Sequence, residues 1–301
     1  MMLGKLLYYI NDNLGKYIFK NPNTLYYNLF NKLHRVLIAN KELESEEIKQ
    51  YLKDGFFKTK SNSVDFCKYV SAEIKKQSVN LDKSFYKFEI NDQLKNQIKK
   101  HINTEFRYVL KKLEKFYNSK ISVANIEIKR NFYIQENINK EVYSNYYHVD
   151  AYVYNHFKMF INLMDVNIDQ GPLHIYSKNN TKKFMKLNNY KNRNNYLNDD
   201  LKEDLVTNTG KIGESFIANT TECLHKAGVV KKGNYRDILF VTFITIPEKI
   251  SKDKDDFFYY EEKYPKAIWG DRNEVVKIAK PQSFRKTVKL FFDYYINKST
   301  N

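Results

Sequence analysis

Two histidines and one aspartate have the types and spacing that suit a metal ion. His148 and Asp150 are two residues apart in the stretch Tyr146–Ser177, and His225 lies in a second stretch, Asn219–Ile246. Two imidazoles and one carboxylate can hold ferrous iron on one side and leave its other positions open. The pattern therefore predicts a non-haem Fe(II) site that accepts a cosubstrate and O2.

An arginine close to the second histidine extends this pattern. Arg236 follows His225 by 11 residues, and its planar, permanently charged fork of donors matches a carboxylate. We predict that Arg236 binds the far carboxylate of a 2-oxo acid, 2-oxoglutarate, although an ordinary surface arginine would look the same in sequence. Lys158 and Gln135 are placed where a second contact to the cosubstrate can arise.

Each part of this pattern is weak by itself. In a chain with 6 histidines, a His-x-Asp triplet is equally compatible with a surface turn or a hydrogen-bonded core pair. His156 and His174 do not fit the ligand spacing and are predicted to be core residues or neighbours of the site. Position favours the metal interpretation, because His148 and His225 each precede a strand and a jelly roll can bring two such ends together.

The elements that must position these residues change character near residue 120. Before it, the helical signals cover Glu42–Phe57 with a stop at Gly55, Ser63–Lys75 and Asp92–Tyr117. From Ile121 onward the chain is rich in β-branched residues that alternate with polar ones, and turns separate the short strands. The predicted fold is a mainly β core with α: a double-stranded β-helix (jelly roll, cupin-like) with N-terminal and flanking helices.

Taken together, these motifs resemble the phytanoyl-CoA dioxygenase-like family of Fe(II)/2-oxoglutarate-dependent oxygenases. The resemblance covers about residues 124–246, and its features are His148-x-Asp150, the strand His156–Val166, the turn Gln170-Gly171-Pro172-Leu173, His225 and Arg236. It implies that His148, Asp150 and His225 bind iron and that Arg236 binds the C5 carboxylate of 2-oxoglutarate. It also implies a dioxygenase that hydroxylates a C–H bond and releases succinate and CO2.

One departure from the family leaves the substrate unassigned. Where the family usually has a Pro-Gly-Ser-His turn, this chain has Tyr176-Ser177-Lys178-Asn179. We expect an N-terminal helical extension over residues 1–44 and one oxygenase domain over residues 45–301. Its β core spans about 120–247, and residues 178–208 are predicted to form a lid loop, with a solvated insertion containing a short helix as the alternative. The aromatic tail with Trp269 is predicted to pack against the core.

Composition narrows the class of partner. The net charge of +16 is spread along the chain as interleaved Lys and Asn, which argues against a clustered nucleic-acid footprint. It fits a small-molecule or carrier-linked organic substrate, including an anionic one. The absence of a run of about 18 apolar residues predicts no transmembrane segment, and two distant cysteines predict a reducing, cytoplasmic location. The sequence does not determine the oligomeric state.

Two other functions stay open at this stage. The same iron site can perform desaturation, cyclisation or epimerisation, which only the products distinguish. In a different class, the chain can be a non-catalytic jelly-roll module that binds a polyanionic partner through its basic charge.

Overall fold

The computed structural model describes residues 45–59, 63–79, 84–117, 120–133, 141–150, 156–187, 199–246 and 256–258. Its helices are α1 (Glu46–Asp54), α2 (Val64–Lys75), α3 (Asp92–Glu105), α4 (Arg107–Tyr117) and α5 (Lys178–Leu187). Its strands are β1 (Phe56–Lys58), β2 (Phe85–Phe88), β3 (Lys120–Phe132), β4 (His156–Asn162), β5 (Leu173–Tyr176), β6 (Leu205–Asn208), β7 (Ser215–Ala218), β8 (His225–Ala227) and β9 (Tyr235–Ile246). No described helix is long and apolar enough to cross a membrane.

The strands form two antiparallel sheets. The large sheet has the order β1-β7-β4-β9-β3-β2, and the small sheet has the order β6-β5-β8. Neighbouring strands are far apart in the chain, as in a jelly roll, and helices flank the β core. This arrangement confirms the fold class predicted from the sequence.

The two faces of the large sheet bury different residues. The outer face packs on helices α1 to α4: Phe157 of β4 stacks on Phe243 of β9 at 5.0 Å and on Tyr117 of α4 at 6.0 Å between ring centroids. Because side chains alternate along a strand, the residues next to Phe157 in β4 and next to Phe243 in β9 face the small sheet. A smaller apolar cluster fills the space between the sheets, and its buried members are Phe56, Leu173, Ile175, Phe216, Ala218 and Cys223.

Several local predictions need correction. The region before residue 118 is less helical than predicted, because β1 and β2 pair with strands of the large sheet. The single helix predicted over Asp92–Tyr117 is two helices, α3 and α4, which meet at the fully buried Phe106. Strands as short as β1 and β2 give little periodic signal in the sequence. The break between α3 and α4 occurs where Phe106 packs into the core.

The segment 178–208 is not simply a loop. It contains α5, a 3-10 helix over Asp199–Asp204 and strand β6. Helix α5 forms because Phe184 is buried against Tyr147 and Tyr176, with ring centroids 5.5 and 5.3 Å away. The predicted N-terminal extension and the tail with Trp269 lie outside the described residues, and the lid role of 178–208 stays a prediction.

The end of α1 is docked beside the loop that leads to His225. Gly55 ends the helix with φ of 88°, and its carbonyl accepts a hydrogen bond from Asn219 N at 2.7 Å. A Cβ on Gly55 would collide with Cys223 Sγ, two residues before His225. Only glycine therefore satisfies both the backbone conformation and the packing at this position.

We predict that Gly55→Ala lowers the free energy of unfolding by about 2–4 kcal/mol, because it adds overpacking to backbone strain. Gly233→Ala is the matched control, since Gly233 has φ of 83° and nothing lies within 4 Å of its added Cβ. It should cost only about 1 kcal/mol. Chemical denaturation of both variants measures the difference, and equal losses would contradict the packing argument.

A second prediction concerns acid stability and His101 of α3. Its imidazole stacks on Phe66 at 3.9 Å between centroids and lies 2.8 Å from Ser63 Oγ. Burial lowers the pKa of His101 to about 4, whereas the unfolded chain takes up this proton below about 6.5. Unfolded protein therefore binds more protons between these values, and stability falls as the pH falls.

Replacing this histidine should make the protein less sensitive to acid. We expect His101→Gln to reduce the loss of unfolding free energy between about pH 7 and about pH 5 by about 1 kcal/mol, after allowing for screening by solvent. Urea denaturation at the two pH values is the measurement. An unchanged pH dependence would mean that His101 titrates normally in the folded protein.

Candidate metal centre

The two predicted histidine ligands lie side by side on the small sheet. His148 and His225 exchange backbone hydrogen bonds, N to O, at 3.0 Å in each direction, so residue 148 extends the sheet beyond β8. Directly opposed residues of an antiparallel pair project to the same face, and the two ring centroids are 4.4 Å apart. His225 also pairs with Ile175, whose side chain belongs to the cluster between the sheets. Both imidazoles therefore point toward the large sheet.

The third ligand is brought to the histidines by a backbone hydrogen bond. Asp150 N donates to Thr220 O at 2.9 Å, which turns the carboxylate toward the two rings. Asp150 Oδ1 is 3.8 Å from His148 Nε2, and Oδ2 is 3.9 Å from His225 Nε2. One ligand atom from each residue lies within 4.8 Å of the others. The structure thus places the three sequence-predicted residues together.

The hydrogen bonds of the two rings fit metal binding. His148 Nδ1 lies 2.8 Å from the carbonyl of Tyr146, and His225 Nδ1 lies 2.9 Å from the carbonyl of Cys223. A carbonyl only accepts, so each Nδ1 donates its proton and each Nε2 keeps a lone pair for the site. Burial lowers the pKa of His225 to about 3, although the charge of Asp150 opposes this shift. His225 is therefore neutral near pH 7, as a ligand must be.

Asp150 is ionised because cations and donors surround it. Burial alone raises the pKa of this carboxyl, but the charge of Lys158, followed by His156 and His225, holds the pKa well below its usual range. Lys158 Nζ lies 2.7 Å from Oδ2, and His156 Nε2 lies 3.3 Å from the same oxygen. His156 is also 3.0 Å from Thr220 Oγ1. The donor set of this centre is therefore two imidazoles and one carboxylate.

Arg236 at the start of β9 is buried, and no acidic side chain of the described residues pairs with it. Its side chain is 4% exposed, Nη1 donates to Gly171 O, and Nε has no hydrogen-bond partner. Burial lowers the pKa of Arg236 to about 10, so the guanidinium remains charged near neutral pH. Among the described residues it makes no ion pair, and a buried charge of this kind calls for an anionic partner.

The remaining predicted site residues have different outcomes. Lys158 pairs with Thr242 in the β4–β9 register, six residues along β9 from Arg236, so its ammonium lies at the metal end of the site. Gln135 lies outside the described residues. His174 projects from the opposite face of β5 to Ile175, and burial lowers its pKa to about 4.

Two residues position the carboxylate: sequence reasoning missed Thr220 and named His156 only as a core residue or a neighbour of the site. Thr220 holds both the backbone of Asp150 and the ring of His156. A usable signal existed for one of them: His156 is two residues before Lys158 on one strand, so both must share a face. Nothing in the local sequence marks Thr220, because its role arises from a contact across the fold.

No protein-family model matches the chain, and no curated protein matches its sequence. The resemblance to the phytanoyl-CoA dioxygenase-like family therefore stays a prediction from its residues.

Among solved structures, the chain is similar to SnoN, the non-haem α-ketoglutarate-dependent epimerase from nogalamycin biosynthesis, with 15% identity over 66% of this chain and 81% of that one, at a TM-score of 0.43. HygX from Streptomyces hygroscopicus, with nickel and 2-oxoglutarate bound, shares 10% identity over 74% of this chain and 99% of that one, at a TM-score of 0.49. EctD from S. alaskensis, with 2-oxoglutarate and 5-hydroxyectoine, shares 12% identity over 69% of this chain and 78% of that one, at a TM-score of 0.46. Similarities this low do not assign chemistry to this chain. Its chemistry must be argued from its own residues.

We predict that His225→Ala and Asp150→Asn weaken metal binding by about 100-fold or more, because each removes one of three ligands. Calorimetric titration of the metal-free protein with Co(II) measures the affinity. His174→Ala is the matched control: it removes a half-buried histidine from the other face of the same sheet and should leave the affinity unchanged. Equal affinity of His225→Ala and the unsubstituted protein would exclude this metal site.

Proposed function

We propose that this protein is an Fe(II)- and 2-oxoglutarate-dependent dioxygenase that hydroxylates a C–H bond of an organic substrate. The observation that supports it best is a combination on the inner side of the jelly roll. Three predicted ligand side chains converge, and a buried arginine that makes no ion pair within the described part of the chain projects from the same sheet face as Lys158. The three predicted ligands suit a metal ion, and the arginine, Arg236, suits a carboxylate.

The residues fit a resident iron. Two imidazoles and one carboxylate satisfy half of an octahedral ion, which leaves positions for a chelating cosubstrate and O2. When bound, iron with 2-oxoglutarate and O2 supplies the oxidation of a C–H bond, with release of succinate and CO2. The chain's own contribution is to orient His148 and His225 through their Nδ1 protons, to keep Asp150 ionised, and to bury the site between two sheets.

Arg236 provides the anchor for the cosubstrate in this proposal. Its guanidinium is buried, charged and held in one orientation by the carbonyl of Gly171, so a carboxylate can pair with it without further ordering of the side chain. Lys158 is less well supported as a second contact, because its ammonium already pairs with Asp150. Gln135 stays a proposed contact from the sequence.

The finer assignments also belong to the proposal. Membership of the phytanoyl-CoA dioxygenase-like family is supported by the order His148-x-Asp150, His225, Arg236, and the oxygenase domain is assigned to residues 45–301. Hydroxylation is our first choice, while desaturation, cyclisation and epimerisation use the same residues and differ only in product. A cytoplasmic location fits the two free cysteines, Cys67 and Cys223. A small-molecule or carrier-linked substrate, including an anionic one, fits the net charge of +16.

The test is an anaerobic titration with Fe(II) followed by 2-oxoglutarate, monitored by the visible metal-to-ligand charge-transfer band. We expect the band in the unsubstituted protein and its absence in His225→Ala. Arg236→Met should weaken 2-oxoglutarate binding by about 30-fold to 100-fold, the typical loss of a charge-assisted bidentate pair. Succinate release under O2 then reports turnover.

A cosubstrate analogue provides the control for Arg236. 2-Oxobutyrate keeps the chelating 2-oxo acid group but lacks the distal carboxylate, so its affinity should be the same for Arg236→Met and the unsubstituted protein. An equal loss for both compounds would mean that the substitution disturbs the metal end of the site. A folded, Fe(II)-loaded protein without the band would reject the dioxygenase proposal and favour the non-catalytic binding module.

A further inference from the structure

Lys158 is fixed in the middle of the large sheet. It pairs with Ala218 of β7 on one side and with Thr242 of β9 on the other, so its backbone cannot shift independently of the sheet. Its side chain faces the metal centre and is 15% exposed, and that of Asp150 is 11% exposed. The ion pair between them therefore differs from a solvent-screened surface pair, which contributes little.

The two oxygens of Asp150 have different surroundings. Oδ2 faces β4, where Lys158 Nζ lies at 2.7 Å and His156 Nε2 at 3.3 Å. Oδ1 faces the ligand His148, whose Nε2 is 3.8 Å away. Oδ2 is thus the oxygen that pairs with the cation of the sheet, and it also lies 3.9 Å from His225 Nε2. Oδ1 lies on the side of His148, away from the ammonium.

We propose that Lys158 is the counter-ion of the metal ligand Asp150. Its ammonium holds Oδ2, so that a metal ion bound by His148 and His225 takes Oδ1 alone and shares the charge of the carboxylate with the lysine. Lys158 acts through Asp150 and is a positioning residue. This inference rests on the metal site of the proposed function.

The physical consequence is a ready-formed site with moderated affinity. A carboxylate buried between two sheets is costly without a compensating charge, and Lys158 supplies that charge before any metal arrives. Once a divalent ion binds Oδ1, the same ammonium repels it across the carboxylate, a strong effect at short range in a medium of low polarity. Removal of the ammonium should therefore strengthen metal binding and weaken the metal-free fold.

The experiment compares four variants with the unsubstituted chain by Co(II) titration. Lys158→Met and Lys158→Gln remove the charge and should bind Co(II) at least about tenfold more tightly than the unsubstituted chain. Lys158→Arg keeps the charge and should have the same affinity as the unsubstituted chain. Lys129→Met is the matched control, because Lys129 is also an inner-face lysine of the large sheet but pairs with Glu127 at 2.7 Å. It should leave the affinity unchanged.

Two further readouts separate a counter-ion from a merely structural lysine. The visible spectrum of bound Co(II) should change in the two neutral variants, because Asp150 can then offer both oxygens. The melting temperature without metal should fall in these variants, and the increase caused by saturating Co(II) should be larger than in the unsubstituted protein. Lys158→Gln keeps a polar side chain that is one atom shorter than lysine, so it serves where Lys158→Met does not fold.

The possible failures are distinguishable. Folded Lys158→Met and Lys158→Gln proteins with equal or weaker Co(II) affinity and an unchanged spectrum would overturn the counter-ion inference alone. Absence of His225-dependent Co(II) binding in the unsubstituted chain would overturn both the inference and the metal site. A third result is that all variants bind Co(II) as predicted but the protein does not respond to 2-oxoglutarate. This result would reject the proposed function and leave the counter-ion inference standing.

Discussion

The charge of one buried carboxylate governs the arrangement of this site. Asp150 lies between two β sheets, where an ionised group requires compensation, and the structure provides it from one direction through Lys158 and His156. Thr220 then holds the backbone of the aspartate and the ring of His156. The carboxylate stays ionised and faces two imidazoles, so the same compensation that permits its burial also suits Asp150 to its predicted role as a metal ligand.

This arrangement depends on the alternation of the large sheet. Strand β9 directs Leu239, Val241 and Phe243 outward, where helices bury them, and the intervening positions, including Arg236, point inward. Apolar packing on the outer face therefore fixes the backbone, and polar residues can occupy the inner face without loss of the core. The small sheet contributes the histidine pair, so neither sheet contains the centre alone.

The sequence was most informative where chemistry and periodicity coincide. The grouping of His148, Asp150 and His225, the long strands β3, β4 and β9 and the glycine stop at Gly55 could be predicted, because residue type and alternation are local signals. Strands β1 and β2, with 3 and 4 residues, could not, since they exist through pairing with distant strands. The partner of Lys158 was missed for the same reason: the register that brings it to Asp150 depends on contacts between residues remote in sequence.

Charge balance connects the metal end and the arginine end of the proposed site. With neutral histidines, Asp150, Lys158 and Arg236 together have a net charge of about +1 without ligands. A divalent ion alone would raise this buried charge to about +3, and a dianion alone would reverse it to about −1, whereas both together leave it unchanged. Each ligand therefore removes part of the electrostatic cost of the other. Metal and a dicarboxylate should bind with positive coupling, which is reciprocal by linkage, and a monocarboxylate gains less from the same site because it leaves one positive charge uncompensated.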